Sequence, residues 1–98
     1  MDQLKPLSDF FNAIAGDPRI SITHIGIYAS LLQYWKEHDY KNPLCVFSHE
    51  IMQKAKISAR STYRRCITDL SNYGYLKYEP SFKKNRGSRI YLLGPGQI

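Results

Sequence analysis

The sequence predicts a mainly helical α+β fold, in which three to four helices precede a C-terminal β-hairpin within a single domain spanning residues 1–98. Up to residue 73, apolar side chains recur at helical spacing, and capping residues mark the segment ends. Beyond Gly74, apolar side chains alternate with polar ones, which is the period of a strand. The 98 residues are 43% hydrophobic, which is enough apolar material for one modest core but not for two.

Two N-terminal helices are predicted within residues 7–38. The first covers about residues 7–15, with Ser8 as its N-cap and Gly16 as its end. The sequence GDPR that follows, at residues 16–19, is typical of a turn.

The second N-terminal helix begins near Ser21 or Thr23, either of which can cap it, and ends near His38. Its apolar side chains cover more than half of the helix circumference: Ile25, Ile27, Tyr28, Leu31, Leu32, Tyr34 and Trp35. Its polar strip consists of Gly26, Ser30, Gln33 and Glu37. A helix with so wide an apolar arc is buried on more than one side. It is therefore either the central helix of the domain or partly a subunit interface, and the small size of the chain favours the central position.

A loop, a short strand and a short helix are predicted next. An Asn-Pro pair indicates a loop over residues 40–44, and the β-branched and aromatic residues at 45–47 favour a small strand. Ser48 then caps a helix of about two turns that ends at Ala55. Glu50 lies in its first turn, where the helix dipole favours an acid.

A longer helix is predicted over residues 59–73, with Ser58 as its N-cap and Gly74 as its C-terminal stop. With the short helix it forms a helix-turn-helix over residues 48–73. One face of the longer helix is apolar and carries Tyr63, Cys66, Ile67, Leu70 and Tyr73. The opposite face carries Ser61, Arg64, Arg65, Thr68 and Asn72, with Arg60 at one edge and Asp69 at the other. Asp69 is expected to pair with Arg65 at the i, i+4 spacing.

A β-hairpin is predicted within residues 75–93. Its strands are residues 75–79 and 88–93, which alternate with period 2 and are rich in Tyr, Ile and Leu. The polar sequence PSFKKNRG between them forms a long basic tip. The remaining residues, 94–98, are expected to form a frayed tail.

The positive charge of the chain lies entirely in its second half. Residues 1–50 carry four basic and six acidic side chains, a formal charge of −2, whereas residues 51–98 carry ten basic and two acidic side chains, a formal charge of +8. This polarity favours a nucleic-acid-binding face on one side of a small domain. The alternative is a protein whose uneven surface charge serves only solubility.

The chain shows no pattern typical of an enzyme, a metalloprotein or a membrane protein. It has no nucleophile–base pairing, phosphate loop or paired carboxylates on one face, and its three histidines and two cysteines do not have metal-ligand spacing. Cys45 and Cys66 are expected to be free, buried thiols in a reducing compartment. Without a signal sequence or membrane span, a cytoplasmic protein that needs no cofactor or small-molecule ligand is expected.

Two stretches, ISARSTYRRCITDLSNYGYLKYE and KKNRGSRIYLL, resemble the winged helix-turn-helix family of DNA-binding proteins. The resemblance covers about residues 45–93. It rests on the S-x-R-S-T-x-x-R pattern followed by Ile67, Leu70, Gly74 and Leu76. The upstream helices are similar to those of small bacterial, phage or mobile-element proteins, including replication initiators. The resemblance implies a fold in which residues 75–93 form the wing, and a function in double-stranded DNA binding.

The resemblance also implies which residues contact DNA. The helix over about residues 58–73 would enter the major groove with its N-terminal half nearest the bases. Ser61, Arg64 and Arg65 would reach base edges or flanking phosphates, Arg60 a phosphate, and Thr68 and Asn72 the backbone. Lys83, Lys84 and Arg86 at the wing tip would reach the minor groove or the backbone, and Arg89 would assist from its strand.

Three functional interpretations remain open from the sequence. The first is a transcriptional regulator that binds duplex DNA, and the second is a replication-initiation or mobile-element protein that uses the same domain. The third is a winged-helix module that binds protein, and the wide apolar arc of the helix up to Trp35 supports it. A homodimer would use the helices within residues 7–38. A solvated helix face is the ordinary alternative for Arg64 and Arg65.

Overall fold

The structure is a computed structural model that describes residues 5–81 and 87–92, with Lys5 described by its backbone alone. Within these ranges it is a mainly helical α+β fold with four helices and a three-stranded antiparallel sheet. The helices are α1 (Lys5–Ile14), α2 (Ile22–Glu37), α3 (Ser48–Ala55) and α4 (Arg60–Asn72). The strands are β1 (Leu44–Val46), β2 (Leu76–Glu79) and β3 (Ser88–Leu92). The predicted tail, 94–98, and most of the predicted wing tip, 82–86, lie outside the described residues.

The sheet has the order β1-β3-β2, so the short strand before α3 joins the predicted hairpin as its third strand. In the antiparallel register, Leu44 pairs with Ile90, and Leu76 pairs with Leu92. These side chains are buried on the face that packs on the helices. The Asn42 side chain extends the ladder, because its amide donates to the Leu92 carbonyl and its oxygen accepts from the Leu92 N–H, both at 3.1 Å.

Helix α2 occupies the centre of the fold, as predicted for it. Ile27 and Leu31 are fully buried, and the helix packs against α1, α3 and α4. On the α1 side, the rings of Phe10 and Tyr28 are stacked with centroids 3.9 Å apart. Ser30, predicted on the polar strip, is instead buried, and its hydroxyl donates to the Gly26 carbonyl one turn earlier at 2.7 Å. This local bond lets a serine lie in an apolar interface without an unsatisfied hydroxyl.

One predicted N-cap is confirmed and three are wrong. Ser21 is the N-cap of α2. Ser8 lies inside α1 (Lys5–Ile14) and is therefore not its N-cap. Phe47 rather than Ser48 is the N-cap of α3, and its N–H donates to the Glu50 carboxylate at 3.3 Å.

The N-cap of α4 is Ala59 rather than Ser58, and its side chain makes no capping hydrogen bond. Two residues between α3 and α4 determine where α4 begins. Lys56 ends α3 in the left-handed conformation, with φ of 61°, and Ile57 then packs against the core. The chain therefore enters α4 one residue later than the capping preference predicted.

The two cysteines differ in environment. Cys66 on α4 is buried, as predicted, whereas Cys45 is exposed because it is the outward-facing residue of the three-residue strand β1. Neither forms a disulfide. Over residues 5–81 and 87–92, no helix combines the length and the hydropathy that crossing a bilayer requires.

Candidate nucleic-acid interface

Helix α4 separates its apolar and polar side chains as the sequence predicted. Tyr63, Cys66, Ile67 and Leu70 are at most 3% exposed and form part of the core. Tyr73, predicted on the same face, is only partly buried. All six of the predicted contact residues on α4 are exposed: Arg60, Ser61, Arg64, Arg65, Thr68 and Asn72. The helix therefore presents a continuous polar surface while its other face anchors it.

The exposed residues of α4 divide into two rows. Arg60, Arg64 and Thr68, spaced four residues apart, line a groove between α4 and the sheet. Ser61 and Arg65 lie on the crest of the helix outside that groove. We call this depression the α4–sheet groove. Its other walls are the β1–α3 junction, the end of β2 with Pro80 and Ser81, and the start of β3: Phe47, Ser48, His49, Tyr78, Gly87 and Ser88.

The electrostatics of this surface favour an anion. None of the described residues that line the α4–sheet groove is acidic. Within the described part of the chain, Arg60, Arg64 and Arg65 have no hydrogen-bond or ion-pair partner. Their guanidinium groups are therefore available to phosphate or base edges, which they can bind with two parallel hydrogen bonds. Burial, with a smaller contribution from Tyr78, raises the pKa of the Tyr63 phenol at the base of the groove, so the phenol stays neutral.

The sheet brings only part of the predicted wing into this surface. Arg89 is on the outer face of the sheet, opposite Cys45 on one neighbouring strand and Glu79 on the other. It does not line the α4–sheet groove, although it was predicted to assist the wing. The alternation of apolar and polar residues in β3 could have predicted this position. Ile90 and Leu92 face the core, so Arg89, next to Ile90, must face the other side of the sheet. Lys83, Lys84 and Arg86 lie outside the described residues.

A buried histidine fixes the middle of α4. His24, 5% exposed, lies on the first turn of α2, and its Nε2 is 3.0 Å from the Asp69 carboxylate on α4. The Ser21 N–H donates to His24 Nδ1 at 2.9 Å, so Nδ1 is the acceptor and Nε2 carries the proton that is donated to Asp69. The predicted pair of Asp69 with Arg65 is therefore wrong, because the carboxylate turns inward to a buried donor and leaves Arg65 free.

A second cluster fixes the C-terminal end of α4 to the α1–α2 connection. Arg19 Nε and Nη2 donate to the two carboxylate oxygens of Asp17 at 2.8 and 2.9 Å, and the Tyr75 hydroxyl donates to the same carboxylate at 2.6 Å. The Arg19 guanidinium also lies 3.9 Å from the centroid of the Tyr73 ring, in cation–π geometry. The bonds from Arg19, and then from Tyr75, hold the pKa of the Asp17 carboxyl well below its usual range.

The end of α4 has the geometry that Gly74 predicted. Gly74 has φ of 89°, and its N–H donates to the Ser71 carbonyl, while the Tyr75 N–H donates to the Leu70 carbonyl. These two bonds form a Schellman motif, which favours glycine at the left-handed position. The Ser71 hydroxyl then accepts from the Tyr78 N–H at 3.2 Å, so α4 and β2 are joined directly beside the groove.

Sequence reasoning missed the β1–α3 junction as a part of the site. His49 is exposed, and together with Phe47 it lines the α4–sheet groove. The two rings are stacked with centroids 5.8 Å apart. The sequence contains no signal for this role, because it predicted Ser48 as the N-cap and only the structure shows Phe47 at that position. Among the residues that the structure describes, no cluster of three histidine, cysteine or acidic side chains could hold a metal ion.

Comparison of the chain with protein-family models, with curated proteins and with solved structures found no match.

Proposed function

We propose that this protein is a winged helix-turn-helix protein that binds double-stranded DNA, with α4 as its recognition helix. The observation that carries the proposal is the surface of α4, where three exposed arginines without partners in the described residues lie beside a groove without acids. The element order α3–α4–β2–β3, with β1 completing the sheet, supports the winged-helix assignment. The protein is then a binding protein rather than an enzyme.

The dimensions of α4 fit the major groove. An α-helix with its side chains is about 10–12 Å in diameter, which matches the ~12 Å width of the major groove of B-DNA, and the 13 residues of α4 extend over about 20 Å at ~1.5 Å per residue. The N-terminal half carries all three arginines and enters nearest to the bases. Arg65 and Ser61, on the crest, are then assigned to base edges, and Arg60 and Arg64, in the groove wall, to base edges or flanking phosphates. Lys83, Lys84 and Arg86 are assigned to the neighbouring backbone or minor groove, and Thr68 and Asn72 to the backbone.

Selection of bound fragments from random DNA tests the proposal and supplies the target sequence. Affinity for that target should fall with salt, with a log–log slope of about −4 to −5 for roughly four to six phosphate contacts. Arg64→Ala and Arg65→Ala should each relax discrimination between bases by about 1–3 kcal/mol. Lys36→Ala is the matched control, because it removes one exposed cation that lines a different groove, and it should bind as wild type does. Arginine variants that bind like wild type would show that α4 is not the DNA-binding face.

The selected sequence also tests the oligomeric state, because a palindrome indicates a dimer and a single half-site indicates a monomer. The genomic position of its matches then distinguishes the roles: sites at promoters would indicate a transcriptional regulator, and sites at a replication origin would indicate a replication-initiation or mobile-element protein. Cytoplasmic localisation is proposed with either role.

A specific observation favours protein binding as a second candidate function. A shallow groove between α1 and α2 is lined by Leu7, Leu32, Trp35 and Tyr40. Tyr40 is 43% exposed, and Trp35 is partly buried in T-shaped contact with it. A homodimer through the helices within residues 7–38 would cover this groove. Light scattering without DNA tests it: a dimeric mass that Trp35→Ala abolishes supports the interface, and a monomeric mass at all concentrations overturns the homodimer.

A further inference from the structure

Phe47 and His49 form an exposed aromatic pair that lines the α4–sheet groove and that duplex binding leaves unexplained. Phe47 is 40% exposed at the N-cap of α3, and its ring stacks on that of His49, with centroids 5.8 Å apart and an interplanar angle of 28°. A phenylalanine at this position forgoes the side-chain capping bond that Ser, Thr, Asp or Asn would supply. It also belongs neither to the buried core nor to the hydrophobic residues packed against that core.

We propose that Phe47 and His49 form a stacking site for an unpaired nucleotide at the end of a duplex or at a junction between double- and single-stranded nucleic acid. This inference rests on the proposed function, because it uses the same surface of α4. Every base has a π-face that stacks on an aromatic side chain, and the contact tolerates any sequence. In the interior of a paired duplex those faces are covered by the neighbouring base pairs, so an aromatic platform there can stack only on a base that has left the stack.

The surroundings of the pair fit a nucleotide rather than an apolar partner. Arg60 and Arg64 line the same groove, and no described lining residue is acidic. A base on the Phe47 ring would therefore have its flanking phosphates within a cationic groove. A protein segment with an apolar side chain would bring no charge to complement these two arginines.

The experiment compares two oligonucleotides that carry the selected target: a blunt duplex, and the same duplex with a three-nucleotide single-stranded extension that contains 2-aminopurine beside the junction. Wild-type protein should bind the extended form about five-fold more tightly or better, and stacking should quench the 2-aminopurine fluorescence. Phe47→Leu should lose both the preference for the extended form and the quenching. Phe47→Tyr should retain the preference, because it keeps the ring, and His49→Gln should reduce it.

The outcomes separate the two proposals. Equal wild-type affinity for both oligonucleotides, or an unchanged preference in Phe47→Leu, overturns the stacking site and leaves duplex binding intact. Binding of the extended form but not of the blunt duplex supports the stacking site and overturns the proposed function. Absence of binding to either form overturns both. Arg65→Ala, which alters a residue outside the groove, should weaken both forms alike, and far-UV circular dichroism checks that each variant is folded.

Discussion

Replacement of His24 by alanine should destabilise the fold by about 2–4 kcal/mol. The side chain is 5% exposed and makes three hydrogen-bond contacts: its Nε2 with the Asp69 carboxylate at 3.0 Å, and its Nδ1 with the Ser21 N–H at 2.9 Å and the Ser21 hydroxyl at 2.8 Å. A bond to a charged group contributes about 1.5–3 kcal/mol and a neutral one about 0.5–1.5 kcal/mol. The substitution also removes most of a buried ring, which adds to the cost because the space left behind closes only in part.

The pair between α2 and α4 can be isolated by a double-mutant cycle. His24→Ala, Asp69→Ala and the double variant should show a coupling free energy of about 1–2 kcal/mol, because each single substitution leaves the other partner without its bond. Asp69→Asn should cost less than Asp69→Ala, since the amide oxygen still accepts from His24 Nε2.

Urea denaturation followed by far-UV circular dichroism measures these free energies of unfolding, provided that the denaturant slope is unchanged. His49→Ala, which replaces an exposed histidine, is the matched control and should cost less than about 0.5 kcal/mol. A coupling free energy near zero, or a His24→Ala variant as stable as wild type, would refute the conclusion that this hydrogen bond positions α4.

Three further predictions concern the elements around α4. The pKa of Asp17 is lowered in the folded state, so its stabilising contribution is present above the unfolded pKa of about 3.9 and is lost as pH falls below that value. Asp17→Asn should therefore lose less stability than wild type below about pH 4. Acid titrations in which the stabilities of the two proteins fall in parallel would disprove this. Gly87→Ala should destabilise by about 1–3 kcal/mol, because a Cβ would lie 2.6 Å from the Val46 carbonyl oxygen, whereas Gly16→Ala, with nothing within 4 Å, should be near neutral in thermal melts. Gly74→Ala should cost about 1 kcal/mol by urea titration, because its φ of 89° strains an L side chain, and a neutral result would contradict that reading of the helix end.

Most elements of the fold follow from local patterns in the sequence. The face predicted to be apolar on α4 is the buried one, at Tyr63, Ile67 and Leu70. The prediction succeeds because apolar side chains at helical spacing lie on one side of the helix, and that side packs on the core. Gly74 predicted the end of α4 because glycine readily adopts the positive φ that this position requires. The N-caps were less predictable, because several small polar residues lie near each helix start and packing selects among them. At α4, the packing of Ile57 against the core determined the residue at which the helix begins.

The candidate site depends more strongly on contacts between distant residues. His24 and Asp69 are 45 residues apart, so their pairing could not be read from helical spacing, and Arg65 was assigned to Asp69 on local grounds. Arg64 and Arg65 are adjacent and both exposed, yet only Arg64 lines the α4–sheet groove. Phe47 belongs to that groove only because β1 pairs with β3 and brings the β1–α3 junction to face α4.

The sequence by itself determined which segments are helices and strands, which face of each is apolar, and that the positive charge lies in the second half, because these properties depend on side chains a few residues apart. Only the tertiary structure decided the pairing of β1 with β3, the anchoring of α4 by His24 and Asp17, and the division of the arginines between crest and groove. The reason is that a hydrogen bond or a groove wall requires particular atoms from different elements to meet within a few ångströms, which local periodicity does not specify.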